Sequence, residues 1–385
     1  MAISSFASGR QPELTLAEKI WSLNWGLVLM VSTLAGVGFA TLYSAANGSW
    51  DPWASKQMLR FAVAFAAMLT VALVDIRIWF RAAYAIYALA FVLLVAVEVR
   101  GAIGMGAQRW IDLGVIQLQP SEIMKVALVL ALARYFHGLS IEDIGRPLAL
   151  IVPVLLVLVP AGLVMKQPDL GTAMMLVLGG GMVFFLAGVR LWMFAAVIAA
   201  GLSAIPVVWR FLKPYQKNRI YTFLDPESDP LGAGYHSLQS KIAIGSGGSV
   251  GKGYLQGTQS HLNFLPEKQT DFVFTMLAEE WGLVGGVSLI ALYTLVMIYG
   301  YAIAFRSSSH FGRMLALGIV VNLFLYVFIN TAMVMGLIPV VGVPLPLISY
   351  GGTAMLTVMF GFGLLMSVSV HRDIRIGRYG DLGEG

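Results

Sequence analysis

The sequence predicts an all-α polytopic membrane protein. It should hold about ten transmembrane helices, a large extracytoplasmic loop between spans 7 and 8, and a re-entrant segment before span 10. Three observations carry that reading. Hydrophobic residues make up 58% of the chain and charged residues only 12%, about half the charged share of a soluble domain. Mean hydropathy is +0.80. The apolar residues fall in long runs, and a helix crossing the hydrocarbon core needs roughly 20 of them. A chain this apolar cannot cover itself with polar surface, so its solvent is largely lipid. That excludes a soluble enzyme, a disordered chain and a coiled coil. A transmembrane barrel would show alternating segments of about ten residues, and stretches such as Leu150–Leu158 and Met314–Leu325 do not alternate.

Residues 1–22 are polar, include Arg10, Glu13, Glu18 and Lys19, and read as a cytoplasmic tail. The first span comes late and lacks a signal-peptidase pattern, so it is expected to stay uncleaved. Spans are expected near 23–44, 58–74, 79–98, 121–136, 147–165, 171–187, 191–212, 272–303, 313–336 and 351–371. Some are short, which implies tilt or local thinning. The transmembrane domain is therefore 23–371, its large loop 213–271, and 372–385 a second cytoplasmic tail.

An even number of spans puts both termini on one side. Arg10, Lys19, Arg77, Arg81, Arg134, Arg146, Arg190, Arg306, Arg313, Arg372, Arg375 and Arg378 share it, twelve of the 25 basic residues. Of the other thirteen, seven (Arg210, Lys213, Lys217, Arg219, Lys241, Lys252, Lys268) sit in or beside the long loop. Long loops barely count in the positive-inside rule. The remaining balance, twelve against six, makes the termini cytoplasmic. The net charge of +5, spread over loops, points to membrane orientation and not to nucleic acid. Without cysteines, disulfides, thiolate nucleophiles and cysteine-ligated metals are excluded.

Outward segments carry the remaining signals. The first is Arg100–Pro120. The second, Pro214–Thr270, is too long for a simple connector, and its apolar run Leu238–Ile244 reads as a short interfacial helix. The third, Leu337–Gly352, is apolar yet broken by Pro339, Pro344 and Pro346. Irregular backbone at membrane depth must be buried in protein or line a cavity, so this segment reads as re-entrant. No internal repeat is visible, which weakens a transporter reading.

Charges inside spans mark cavities or partners. Glu122 and Lys125 stand at i, i+3 and can pair on one helix face, with Arg109 and Trp110 just upstream. One reading is a structural ion pair with an interfacial Trp anchor. The other is a basic site for an anionic headgroup, for which arginine's planar fork is well suited. Asp271 stands where the long loop enters span 8. Partial desolvation there should raise its pKa and suit it to general-base work; equally, it could cap the helix. Glu279 and Glu280 follow two turns in and could simply hold helices together. The run Gly245–Gly253 superficially resembles a phosphate-binding loop, but Ser246 occupies the first required glycine and Gly253 the Ser/Thr position. It reads as a flexible turn. His137, His236, His261, His310 and His371 show no helical ligand spacing, so no dedicated zinc site is expected.

Several long motifs stand in order. They are Gln108-Arg109-Trp110, Gln119-Pro120-Ser121-Glu122, Gln167-Pro168-Asp169-Leu170-Gly171-Thr172, Asp229–His236, Gln239–Gly248, Phe264–Phe272 and Pro344–Gly352. Across residues 20–372 the chain resembles the SEDS family (shape, elongation, division and sporulation proteins). Gly336–Pro344 and Glu267–Asp271 resemble the elongation branch more than the division branch. The resemblance implies a peptidoglycan glycosyltransferase that polymerises lipid II at the outer face of the bacterial cytoplasmic (inner) membrane, inverting the anomeric carbon and releasing undecaprenyl pyrophosphate. It implies Asp271 as general base, Arg109 and Lys125 on the pyrophosphate, and Glu122 orienting Lys125. Trp110 lines the cavity, and Lys217 and Lys241 are weaker candidates for the same charge. It further implies a class B penicillin-binding protein as transpeptidase partner alongside other elongation-complex proteins, and a magnesium or manganese ion as a possible bridge on the pyrophosphate. Competing readings are a lipid II flippase or other lipid transporter, a division-type paralogue, and a scaffold without chemistry.

Overall fold

The structure, a computed structural model, describes residues 15–378 apart from 105–106, 113, 115–116, 212–213, 227–233, 263 and 266. Most of the first predicted tail, half of the second, Lys213 and the motif stretch 229–233 therefore lie outside the described residues. In chain order the helices are α1 (Leu16–Trp21), α2 (Trp25–Ala45), α3 (Ala54–Leu73), α4 (Ile76–Arg100), α5 (Pro120–Gly138), α6 (Ile141–Ile144), α7 (Pro147–Lys166) and α8 (Leu170–Ala187). They continue with α9 (Leu191–Phe211), α10 (Pro214–Leu224), α11 (Tyr235–Gly247), α12 (Thr258–His261), α13 (Val273–Arg306), α14 (His310–Val334) and α15 (Gly352–Val370).

The helices α2, α3, α4, α5, α7, α8, α9, α13, α14 and α15 coincide in order with the ten apolar runs. Eight of them are long and apolar enough to cross a membrane. The other two are α5, which carries Glu122, Lys125 and Arg134, and α9, whose apolar part is Leu191–Val207. Their starts follow local chemistry. Asn24, Asp75 and Ser309 accept from first-turn amides of α2, α4 and α14, as small polar N-caps do. Pro120 and Pro147 open α5 and α7, where a missing N–H costs nothing. Gly188 ends α8 in the left-handed region. Helix α14 is buried on nearly every face and forms the centre of the bundle. Helices α5, α8, α13 and α15 pack around it.

Three features were not legible in the sequence. The segment after α4 forms a small antiparallel sheet, β1 (Ala102–Gly104), β2 (Ala107–Asp112) and β3 (Gln117–Leu118). Its strands are too short to carry a periodic signal. The run 238–244 sits within a longer helix, α11, which buries Ser240, Ala243 and Gly247 against α13 and α14. Helix α13 breaks at Gly282, which has φ 66° and ψ −162°.

That break receives the glycine-rich turn. Lys252 N and Gly253 N donate to the carbonyls of Glu279 and Glu280, at 3.1 and 3.0 Å. Leu283 N and Val284 N donate to Gly248 O and Ser249 O, at 2.9 and 3.1 Å. The groups freed by the break are thus paired. Residues 245–247 close α11, and the rest of the run, 248–253, is a turn, as read, but one fixed by four backbone hydrogen bonds and not a flexible one.

The segment between α14 and α15 has no helix, yet Val343, Leu345, Leu347 and Ile348 are buried. Side chains satisfy its backbone. Ser349 Oγ accepts from Leu345 N (2.8 Å), Gln57 Nε2 donates to Ser349 O (2.9 Å), and Asn330 Nδ2 donates to Val343 O (2.7 Å). Irregular backbone at membrane depth must be buried in protein or line a cavity, and this segment is buried in protein.

Candidate active site

Asp271 lies two residues before α13. The cap position belongs to Phe272, and no side chain caps the helix there, so Asp271 is not an N-cap. Its backbone is held on three successive carbonyls. Gln269 O accepts from Tyr350 N (2.8 Å), Thr270 O from Ser349 Oγ (2.6 Å) and Asp271 O from Asn330 Nδ2 (2.9 Å). The turn before it reverses at Glu267, a non-glycine residue at φ 52°. Such conformations persist only where surrounding contacts impose them.

The carboxylate itself accepts no hydrogen bond among the described residues. Its Oδ2 lies beside Gly342, close enough that a Cβ there would stand 3.4 Å away. Burial, then the charges of Glu267 and Asp169, push its pKa up to about 6. An unbonded, raised carboxylate is suited to taking a proton near neutrality.

Asp169 brings the second part of the site. It caps α8 and accepts from Thr172 N (3.1 Å), Thr172 Oγ1 (2.9 Å) and Gln119 Nε2 (3.3 Å). Arg109, half-buried on β2, donates from Nε to Gln167 O at 2.9 Å and from Nη2 to Pro168 O. Arg109 therefore grips the turn that presents Asp169. Trp110 is the next residue of β2 and half-buried.

Glu122 and Lys125 form the predicted pair, at 2.6 Å. Tyr326, in the middle of α14, donates to Glu122 Oε2 at 2.5 Å, and Lys125 Nζ lies 4.1 Å from the centre of the same ring. Both charged residues are 3% exposed. Lys125 borders two small clefts enclosing roughly 200 and 350 Å³, lined mainly by apolar residues such as Val129, Met175 and Phe362. Neither cleft reaches Asp271 or Arg109 among the described residues. These two clefts do not join Lys125 to Arg109, the residues expected to share one headgroup. The ammonium is paired with Glu122 and lies over the Tyr326 ring.

Lys241 is exposed on α11, its side chain lying over Gly336 just past α14. Lys217 lies on α10 with its ammonium 5.8 Å from the Trp209 ring. Among the described residues neither is hydrogen-bonded or ion-paired to Asp271, Asp169 or Arg109.

Glu279 and Glu280 hold the loop. Glu279 accepts from Lys252 Nζ (2.8 Å), Gln259 N (2.9 Å) and Ser260 Oγ (3.0 Å). Glu280 accepts from Ser44 Oγ (2.5 Å) and contacts His261 Nε2 (3.2 Å). Residue reasoning missed Asp169, Glu267, Asn330 and Ser349 as site residues. Asp169 had a signal, since it immediately precedes an apolar run. The others meet Asp271 only through the fold. Among the described residues no group of three or more His, Cys, Asp or Glu could hold a metal ion. A magnesium ion needs only one or two carboxylates when substrate phosphates supply the rest, and of the carboxylates of Asp271, Asp169 and Glu267 only that of Asp271 accepts no hydrogen bond among the described residues.

The profile of the FtsW/RodA/SpoVE family, described as cell cycle protein, matches residues 16–374. The chain is 46% identical over 359 residues to the peptidoglycan glycosyltransferase MrdB of Escherichia coli K12, covering 91% of this chain and 96% of that protein. Among solved structures it resembles a chain of a peptidoglycan synthase complex described as coordinating polymerization and crosslinking, with TM-score 0.78 and 35% identity over 91% of this chain and 98% of that one. The crystal structure of the rod shape determining protein RodA of Thermus thermophilus matches with TM-score 0.66 and 30% identity, over 91% and 97% of the two chains.

Proposed function

The chain belongs to the FtsW/RodA/SpoVE family, and from that premise we propose that it is a peptidoglycan glycosyltransferase of the elongation type. It polymerises lipid II at the outer face of the cytoplasmic membrane. The observation that carries the catalytic assignment is Asp271: its main chain is pinned on three carbonyls while its carboxylate is left unbonded. The ionised carboxylate takes the proton of the acceptor sugar hydroxyl. That oxygen attacks the anomeric carbon of the donor from the face opposite its pyrophosphate. The new C–O bond forms as the old one breaks, the electron pair leaves with undecaprenyl pyrophosphate, and the anomeric centre inverts.

The leaving diphosphate needs positive charge aimed at it, often the largest single catalytic term. Arg109 is the candidate, because only its Nε and Nη2 are spent on backbone carbonyls. Trp110 beside it lines the sugar path. Glu122 and Lys125 serve as positioning residues that lock α5 against α14 through Tyr326. Lys217 and Lys241 stay at the loop's edge as weaker contacts for headgroups. A magnesium or manganese ion bound at the pyrophosphate would sit against Asp271, Asp169 or Glu267 and neutralise developing charge. The similarity to the synthase complex supports a crosslinking partner, a class B penicillin-binding protein, within an elongation assembly. The lipid-transport and scaffold readings have no observation in their favour.

The purified Asp271→Asn chain, incubated with lipid II and resolved on a gel, is expected to give no glycan strands while remaining folded. Wild-type product lengths would remove Asp271 from the role of base.

A further inference from the structure

Arg60 is the seventh residue of α3, about 9 Å along the helix from its start. It is half-buried. A cation inside a spanning segment is costly and is expected to meet an anion or a carbonyl. Arg77 has Asp75, Arg134 has Arg81 O, and Arg109 has Gln167 O. Arg60 has neither: among the described residues no carboxylate lies within 4.0 Å of its guanidinium and its side chain donates no hydrogen bond.

It is nevertheless held in place. The guanidinium carbon lies 4.5 Å from the centre of the Tyr350 ring, a cation–π contact that spends no N–H donor. Its Nε lies against Gly352, where a Cβ would stand 3.5 Å away. Gly351 caps α15 without a side-chain bond, so the guanidinium beside Gly352 stands at the positive end of that helix.

The position is tied to the site. Tyr350 N bonds Gln269 O and Ser349 Oγ bonds Thr270 O, the same contacts that pin Asp271. Gln57, one turn earlier on α3, bonds both Ser349 O (2.9 Å) and Gly351 N (3.3 Å). Joining two lipid-linked sugars brings two diphosphates to one site, and Arg109 offers charge on one flank only. Lys125 is paired with Glu122. We propose that Arg60 binds the diphosphate of the second lipid-linked substrate, on the Tyr350 flank of Asp271. The choice of ligand rests on the glycosyltransferase reading.

The test uses the full chain in detergent, with undecaprenyl pyrophosphate as one probe and phosphatidylglycerol as the other, scored by native mass spectrometry. Arg60→Gln should weaken undecaprenyl pyrophosphate binding by about tenfold or more, the loss of one charge-assisted contact. Arg60→Lys should restore much of it, and phosphatidylglycerol binding should not change. With lipid II, Arg60→Gln should raise KM by a similar factor with kcat within about twofold. Where Arg60→Gln fails to fold, Arg60→Met keeps the aliphatic stem against Gly352. Unchanged diphosphate affinity, or an equal loss for phosphatidylglycerol, would overturn the proposal. Arg60-dependent diphosphate binding by a wild-type chain that makes no glycan would sink the polymerase reading alone.

Discussion

At the scale of single residues, the site is an acid whose environment favours its neutral form. Asp271 has a folded pKa near 6 against about 3.9 for an unperturbed aspartate. As a base it must be ionised, so the polymerisation rate should rise with pH through about 6 and level off above. A rate flat from pH 5 to 8 would contradict that role. The same shift has a stability consequence. Between the two pKa values the folded chain holds the extra proton, so stability falls as pH rises through that window and stays lowered above it. Asp271→Asn should therefore melt higher than wild type at pH 7, by about 1–3 kcal/mol, while losing activity. Asp271 was legible because an apolar run begins directly after it, and the Glu122–Lys125 pair because i, i+3 residues share a helix face. The contact between Lys125 and Tyr326 was not, because Tyr326 arrives 204 residues after Glu122. Asp169 and Glu267 act on Asp271 through space, which no spacing rule reports.

At the scale of elements, helices were legible wherever apolar length decides, and hidden wherever backbone meets backbone. The eighth apolar run gave no sign of its break at Gly282, nor did the glycine-rich stretch reveal that it fills that break. Close approach explains both compositions. A Cβ on Gly251 would run into the Glu280 carbonyl and one on Gly282 into Gly251 N, and both glycines have positive φ. Gly251→Ala should consequently cost about 3 kcal/mol or more and expose the loop to proteolysis. Gly245→Ala makes a stringent control, since a Cβ there meets nothing within 4 Å and alanine favours helix. Equal resistance of the two variants to limited proteolysis would show that the turn is not wedged into α13. The outer loop is then no independent lid: Glu279, Glu280 and this turn fasten it to the element that begins beside Asp271.

At the scale of the whole molecule, sidedness decides whether the chemistry can reach its substrate. The hydrogen bonds sort the chain into two ends. Lys19 Nζ bonds Leu73 O, Ser308 N bonds Arg372 O, His137 contacts Gly377 O and Arg378 bonds Gly138 O. These contacts gather the basic connectors and the C-terminal segment at one end. The other end holds the small sheet, the irregular segment between α14 and α15, the loop turn and Asp271. The positive-inside rule assigns the first end to the cytoplasm, so Asp271 should face outward. The chain has no cysteine, which makes single-cysteine labelling clean. Val250→Cys, at a residue 76% exposed, should react with a membrane-impermeant maleimide in intact spheroplasts. Ser308→Cys, exposed at the opposite end, should react only after the membrane is opened. The reverse pattern would put Asp271 on the side of the nucleotide pool and away from the growing wall. A polymerase of lipid-linked disaccharides could not work from there, however well its residues were arranged.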